Sequence, residues 1–357
     1  MAKSQIFNFD HLHPNSQINR VRVVELPGCE LDEAVRNKNA VQFLSAQAVA
    51  DLIHEQMPFL SLTGVPSDDL RLWEAAFSSP DEFTRQKAVG VANEVGRRLG
   101  IMLAVLKRGD AANREARTEW QPAEWTFWSE IKEVWLGGGL VSGQAAPYIK
   151  KAAENMLEKA RVYDLSLYLS AFPGYLPLIG VARRISPTHE AALVFDFGQT
   201  SLKRAIAFYR AGALTSLELL PSLPSSTFLD FGRGGALYRL TMATLGDSWR
   251  EISGRNLDLN PRIGLSIAAY TLDGQLYKRS DLQDYNFRDE IAGELSAELH
   301  RKIELDLIHD GTAAALVHAG RKQAAVVVLG TSLGIGLPPA LDELCPIAPG
   351  FEVRSSG

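Results

Sequence analysis

The chain has 357 residues, 46% hydrophobic and 22% charged, with a formal net charge of −5, which fits two globular domains with no bulk charge to attract nucleic acid or a membrane surface. Its two cysteines, Cys29 and Cys345, exclude a disulfide scaffold and an all-cysteine zinc site. The opening MAKSQIFNFDHLHPN lacks the apolar core of a signal peptide and no run reaches the roughly 18 apolar residues of a membrane span, so a cytoplasmic protein is expected.

In chain order, Val21 to Leu26 alternates as a short strand closed by Pro27-Gly28. Asn39 to Glu55 carries apolar residues spaced for one helix face. Ser67 to Phe77 opens on Ser-Asp-Asp, good N-cap chemistry, and reads as a helix. A longer helix is predicted from Pro80 to Lys107, with Ala88, Val91, Val95, Leu99 and Leu103 inside. Arg108 to Gln121 is charged and reads as an exposed loop whose charges are solvated surface. Ile131 to Leu136 reads as a strand that runs into Gly137-Gly138-Gly139 and then a helix, Pro147 to Ala160. Three glycines between strand and helix let a flat or charged ligand approach the backbone, or serve a plain tight turn.

Leu165 to Ile185 is apolar, broken by Pro173-Gly174 and Pro177, with a helix over Leu178 to Arg184. Ser186-Pro187-Thr188 reads as a domain junction. Ala191 to Ala207 then reads as a β-hairpin with its turn at Gly198-Gln199, followed by a third strand near Leu214 to Leu220 and a loop over Pro221 to Ser226. Gly198 leaves room for backbone N–H groups to approach an anion. Asp196, at the strand end, is placed to hold a hydrated Mg²⁺, and Thr200 and Lys203 add a hydroxyl and a cation for phosphate. The bland alternative is an ordinary Asp-Gly hairpin. Phe231 to Gly235 is a further glycine cluster, or a surface turn, and Ala236 to Leu245 is helical. Arg262 to Ala269 is a buried strand before a turn at Asp273-Gly274, and Arg288 to Arg301 an amphipathic helix. Leu305 to Ile308 is a strand ending in His309-Asp310-Gly311-Thr312, and Ala313 to Val317 starts the next helix. Ala324 to Leu329 is a buried strand running into Gly330-Thr331-Ser332-Leu333-Gly334-Ile335-Gly336, and the last twenty residues read as loop.

Four of these turns together resemble the actin-like ATPase fold, and most closely the ROK (repressor, ORF, kinase) sugar kinases. The family's DxGGTxxK hairpin stands here as Asp196-Phe197-Gly198-Gln199-Thr200-Ser201-Leu202-Lys203. Its NDANAAAL segment stands as His309-Asp310-Gly311-Thr312-Ala313-Ala314-Ala315-Leu316. Its LGTGIGGG turn stands as Leu329-Gly330-Thr331-Ser332-Leu333-Gly334-Ile335-Gly336, and its vvLGGGv segment as Val134-Trp135-Leu136-Gly137-Gly138-Gly139-Leu140. The family visits them as hairpin, catalytic Asp, second phosphate loop, long helix, GGG, whereas this chain begins with the long helix and GGG. That is a circular permutation cut shortly after the second phosphate loop, and a cut in a surface loop is physically tolerable.

The resemblance covers most of residues 80–336. It implies an α/β protein of two ribonuclease H-like domains, circularly permuted, with a nucleotide cleft between them. Residues 1–185 with 319–357 would form the nucleotide domain, and 186–318 the first-phosphate and substrate domain. It implies ATP and Mg²⁺ as cofactors and phosphoryl transfer to a hydroxyl of a small-molecule sugar or polyol. The metal position falls to Asp196, and the nucleotide contacts to Gly198, Gln199, Thr200, Lys203, Gly330, Thr331, Gly137, Gly138 and Gly139. Asp310 becomes the base that accepts the acceptor's proton, with His309 and Asn286 as candidate substrate contacts, a satisfied structural histidine being the favoured reading of His309. No nucleic-acid or membrane partner is expected, and a homodimer is left open.

Departures bear on the substrate. Gln199 replaces the second glycine of DxGGT, His309 and Thr312 replace the two asparagines around the catalytic Asp, and Ala269-Tyr270 replaces a Pro-Gly. The family's zinc-binding cysteines and Gly-His sugar motif are absent. A nucleotide- or sugar-binding protein of the same fold without kinase turnover is the alternative these changes favour.

Overall fold

The computed structural model describes residues 17–225, 235–272, 274–277 and 286–355. The glycine cluster at 231–234, Asp273 of the turn before Gly274, and the N-terminal stretch read for targeting lie outside them. The chain divides into two compact units. The N-terminal unit comprises His13–Gly174 with Lys322–Gly336, and the central unit comprises Tyr175–Arg321 with Leu337–Gly357.

The N-terminal unit opens with a two-residue antiparallel pair, β1 (Arg22–Val23) and β2 (Lys38–Asn39), shorter than the strand predicted over 21–26. The single helix predicted from Asn39 is broken in two, α1 (Ala40–Leu44) and α2 (Ala46–Gln56). Ser45 between them is extended, and its hydroxyl caps α2 by accepting the Ala48 N–H at 3.2 Å. α3 (Pro66–Ala76) starts on Pro66 rather than on a Ser-Asp-Asp cap. Asp69 is instead fully buried, accepts the N–H groups of Thr63 (2.7 Å) and Gly64 (3.1 Å), and lies 2.7 Å from His54 Nε2. α4 (Glu82–Arg108) is the predicted long helix, capped by Asp81 on the Thr84 N–H at 2.9 Å and closed by left-handed Gly109. Its anticipated inner positions are all buried.

The expectation of a solvated loop over 108–121 holds only in part, with Arg114, Glu115 and Glu119 exposed. α5 (Ala111–Glu115) occupies its middle. Asn113 is fully buried, accepting from Val24 N (2.8 Å) and donating to Glu25 O (2.8 Å), so it pins the strand-like segment before it. Arg117 is also buried, with its guanidinium 5.0 Å from the Trp120 ring centre and donating to Gln17 O at 3.1 Å. Arg117 serves the core because an Arg plane can stack on an aromatic face while its N–H groups satisfy a carbonyl. α6 (Pro122–Glu130), β3 (Glu133–Gly137), α7 (Ala146–Lys159) and β4 (Ser166–Leu169) follow.

The central unit runs α8 (Leu176–Arg184), β5 (Ala191–Phe197), β6 (Ser201–Arg210), β7 (Ala213–Pro224), α9 (Ala236–Ser253) and β8 (Arg262–Ile267). It continues with the small hairpin β9 (Tyr270–Leu272) and β10 (Gln275–Tyr277), then α10 (Phe287–Glu298), β11 (Glu304–His309) and α11 (Asp310–Leu316). β12 (Ala324–Leu329) and β13 (Leu333–Gly336) belong to the N-terminal unit, and β14 (Ile347–Ser355) to the central one.

Two loops expected from prolines are strands. β7 runs through Pro221 to Pro224 beside a register shift opposite Leu202/Arg204, the kind of irregularity at which a strand tolerates proline. β14 pairs in parallel with β7, and its shift between Ile347 and Glu352 takes up Pro349 and left-handed Gly350. The unit boundaries move accordingly. α8 packs on β5, β8 and α11 of the central unit, so the division falls at Gly174/Tyr175 rather than at 185, and β14 carries 337–357 with it.

Both sheets are mixed, with a parallel majority of neighbours around one central strand. In the central unit the order is β11-β8-β5-β6-β7-β14, with β5, β8 and β11 parallel and β6 antiparallel to β5. In the N-terminal unit it is β13-β12-β3-β4, with β12, β3 and β4 parallel and β13 antiparallel to β12. Four strands thus repeat one pattern: a hairpin, then two parallel neighbours. The chain makes the hairpin first in the central unit and last in the N-terminal unit. Among the described residues no helix is long and apolar enough to cross a membrane.

Candidate functional site

Parallel strands end on the same edge of their sheet, and in the central unit that edge gathers the polar residues. β5 is buried along its whole length, so Asp196 near its end is a carboxylate held inside the sheet. Pairing register puts Lys203 of β6 on one side of it and Ser266 of β8 on the other. The Ser266 hydroxyl donates to Asp196 Oδ1 at 2.9 Å, and Lys203 Nζ stands 3.8 Å from Oδ2. Lys203 also lies 5.9 Å from the Tyr175 ring centre. The turn at 198–200 closes with the Gly198 N–H donated to Ser201 O at 3.1 Å. The N–H of Gly198 itself is thus engaged within the hairpin. Gln199 is half-buried and Thr200 exposed at the same turn.

β11 ends on the same edge and delivers His309 and Asp310. Asp310 is the first residue of α11, and His309 caps that helix by accepting the Thr312 N–H on Nδ1 at 3.4 Å. Gly311 N–H donates to Asp310 Oδ1 at 2.6 Å, and His309 Nε2 stands 3.2 Å from the same oxygen. The other face of the imidazole is covered by Tyr270, ring centres 4.8 Å apart and 21° from parallel. α11 is held in place by α8. A Cβ at Gly180 would overlap the Ala313 carbonyl, so the two helices touch backbone to backbone. Buried Arg183 donates to Leu316 O and to Cys345 O (2.9 Å), tying the far end of α11 to the segment before β14.

The electrostatics follow from burial. Loss of water pushes the Asp310 carboxyl up to about 6, opposed by the Gly311 N–H and by the charge of Lys203. Asp196 is raised for the same reason, against Lys203 and the Ser266 bond, and the negative charge of Asp310 raises it further. Burial alone holds His309 down at about 4, so the ring is neutral at physiological pH. The edge therefore offers one cation and two carboxyls that repel each other, of which Asp310 is poised to exchange a proton near neutrality.

The corresponding edge of the N-terminal unit is occupied differently. Gly137 pairs with Val328 as the last residue of β3. Gly138 is left-handed, donates its N–H to Pro173 O at 2.8 Å, and has no space for a Cβ because the backbone of Leu329 abuts it. Close packing on Leu329 thus requires a glycine at position 138, whereas Gly139 faces open space. Gly330 accepts the Ala46 N–H at 2.8 Å, bringing the start of α2 against the turn, and Thr331 is exposed. Asn286 is the cap of α10, its Oδ1 accepting the Asp289 N–H at 3.1 Å.

No protein-family model matches the sequence, and no curated protein matches it. Among solved structures the chain is similar to the Aquifex aeolicus PPX-GPPA enzyme at 14% identity, over 34% of this chain and 36% of that one, with a TM-score of 0.22. Two further structures from the same source, a type II variant Ppx/GppA phosphatase and a Ppx/GppA family member, are 12% and 14% identical, each over 33% of this chain and 35% of the other at a TM-score of 0.21. The chain spans about a third of each, and a likeness of that extent carries no argument for fold or activity. None of the three is named as a sugar kinase, so closeness to the ROK group rests on the quoted motifs alone.

Ser266, Tyr270 and Tyr175 are site residues that sequence reasoning passed over. The signal for Ser266 was a lone hydroxyl in the apolar run RIGLSIAA, one strand from Asp196. Among the described residues no group of three or more His, Cys, Asp or Glu side chains could hold a metal by itself. A cation at Asp196 would take its remaining ligands from water or phosphate. That donor set suits Mg²⁺, which keeps several waters and is commonly held by one or two carboxylates and substrate phosphates.

Proposed function

We propose that this protein binds Mg-ATP and transfers its γ-phosphoryl group to a hydroxyl of a small sugar or polyol, on a circularly permuted actin-like ATPase fold. The observation that carries this reading is the placing of Asp310, raised to about 6, at the strand-end edge that also holds the Asp196–Lys203 pair. Phosphoryl transfer needs a phosphate and cation site beside a base able to take a hydroxyl proton. The rotated order in which the chain builds its two hairpin-plus-parallel sheets supports the permutation.

In this reading Asp196 holds the hydrated Mg²⁺ and Ser266 keeps the carboxylate turned toward it. When bound, Mg²⁺ offsets phosphate charge. Lys203 faces the same phosphates, with Gln199 and Thr200 at the turn beside it. Asp310 accepts the proton of the attacking hydroxyl. Gly330, Thr331 and Gly139 are assigned to the nucleotide as well, on the resemblance alone.

The alternative, a binding protein without turnover, is favoured by one feature. His309 stands where the family has a sugar-contacting Asn, and its ring is covered by Tyr270 and tied to Thr312. A panel of sugars and polyols with Mg-ATP separates the two. Turnover is expected, and Asp310→Ala should lower it about 10²–10⁴-fold, the usual worth of a general base, with ATP binding retained. Mg-ATP binding with no acceptor turned over would favour the alternative, and full activity in Asp310→Ala would remove Asp310 as the base.

A further inference from the structure

His309 has three neighbours that together fix the state of its ring. A backbone N–H can only donate, so the Thr312 N–H at 3.4 Å requires a lone pair on Nδ1. A neutral ring then carries its proton on Nε2, and Nε2 stands 3.2 Å from Asp310 Oδ1. Tyr270, stacked at 4.8 Å, stops the ring from swinging away. The Gly311 N–H reaches the same Oδ1 at 2.6 Å. The Gly311 N–H and His309 Nε2 therefore converge on one carboxylate oxygen.

We propose that His309 is a positioning residue: its Nε2–H donates to Oδ1 of Asp310, which leaves Oδ2 as the oxygen that takes the acceptor's proton. This rests on the reading of Asp310 as the base. It moves His309 from substrate contact to the support of that base, with Tyr270 as the lock on the ring. The Asp that opens α11 thereby gains what a lone carboxylate lacks, a fixed rotation about its last bond. A base held at one orientation reacts more often than one that turns.

Two measurements on the full chain test it. Long-range ¹H–¹⁵N correlation spectra of the labelled protein at pH 7 read the tautomer of each histidine, His309 being assigned by its loss in His309→Gln. The Nε2–H form is expected for His309, with a hindered Nε2–H proton signal that shifts or vanishes in Asp310→Ala. An Nδ1–H form, an imidazolium, or a signal indifferent to Asp310→Ala would overturn the proposal. In turnover, His309→Leu is expected to lower kcat at least about tenfold with the KM for Mg-ATP unchanged. Gln, whose amide N–H reaches the place of Nε2–H, should restore kcat to within about threefold. Equal loss in Leu and Gln, with both folded, would count against it. If no acceptor is turned over, the spectra still decide the role of His309, while the base assignment of Asp310 falls separately.

Discussion

Asp310 joins two properties, a half-buried carboxyl that has lost much of its water and a place at a strand end where a ligand can reach. Its folded-state pKa of about 6 lies above the ordinary value of 3.8. Between those values the folded chain holds more protons than the unfolded one, so stability falls as pH rises through the window and stays low above it. Two pH units at 1.36 kcal/mol each set a ceiling of about 3 kcal/mol on that cost at pH 7. Asp310→Asn keeps an oxygen for the Gly311 N–H and removes the charge. It is expected to raise the unfolding midpoint in urea at pH 8, with the gain vanishing by about pH 4. A gain independent of pH would mean that the charge is not what costs stability. Activity should show the opposite limb, rising with pH through about 6 as the base loses its proton. Both acids were legible in the sequence because each closes an apolar strand. Ser266 and Tyr270 were not, because a hydroxyl or a ring inside a buried run carries no mark of which neighbour it will meet across a sheet.

At the scale of elements, periodicity located the strands and helices whose burial is one-sided or complete. β12 matches its predicted residues, and α4 lies within two residues of both predicted ends, since an Asp cap and a closing glycine bound it. Failures fell where polar or breaking residues do structural work. Arg117 reads as solvent-facing until Trp120 folds over it, and Pro349 reads as a strand breaker until a register shift absorbs it. Arg117→Ala should therefore destabilise the chain by about 2–4 kcal/mol, through lost packing and carbonyls left without a donor. A chemical denaturation curve checks it, and a change within about 0.5 kcal/mol would return the segment to the surface. Gly180 is a sharper case, because its missing Cβ sets how closely α8 approaches α11, which carries Asp310. Gly180→Ala is expected to cost about 1–3 kcal/mol, the usual range for overpacking, and to lower turnover at a site it does not touch. Wild-type stability and turnover in that variant would show that α8 does not set the place of α11.

For the whole molecule, the two sheets share one strand arrangement that the chain builds in two different orders. A hairpin with two parallel neighbours is the same arrangement of hydrogen bonds whichever part the chain makes first. The central strand needs its partners in space rather than in sequence. Motif matching could see the four turns and their rotated order. It could not see that Gly138 is there for the backbone of Leu329, since a glycine needed for packing and one needed for a ligand look alike in one dimension. The boundary between units was hard to read for a related reason: α8 is buried along nearly its whole length, and its sequence does not say which sheet it will cover.

The most direct measurement is calorimetric titration of the full-length protein with ATP, with and without Mg²⁺, alongside Asp196→Asn and Asp310→Asn. Mg²⁺-dependent binding is expected in the wild type, lost or weakened at least about tenfold in Asp196→Asn, and kept in Asp310→Asn. Absence of ATP binding in the wild type, or equal Mg²⁺-dependent binding in folded Asp196→Asn, would contradict a phosphate and cation site at the end of β5.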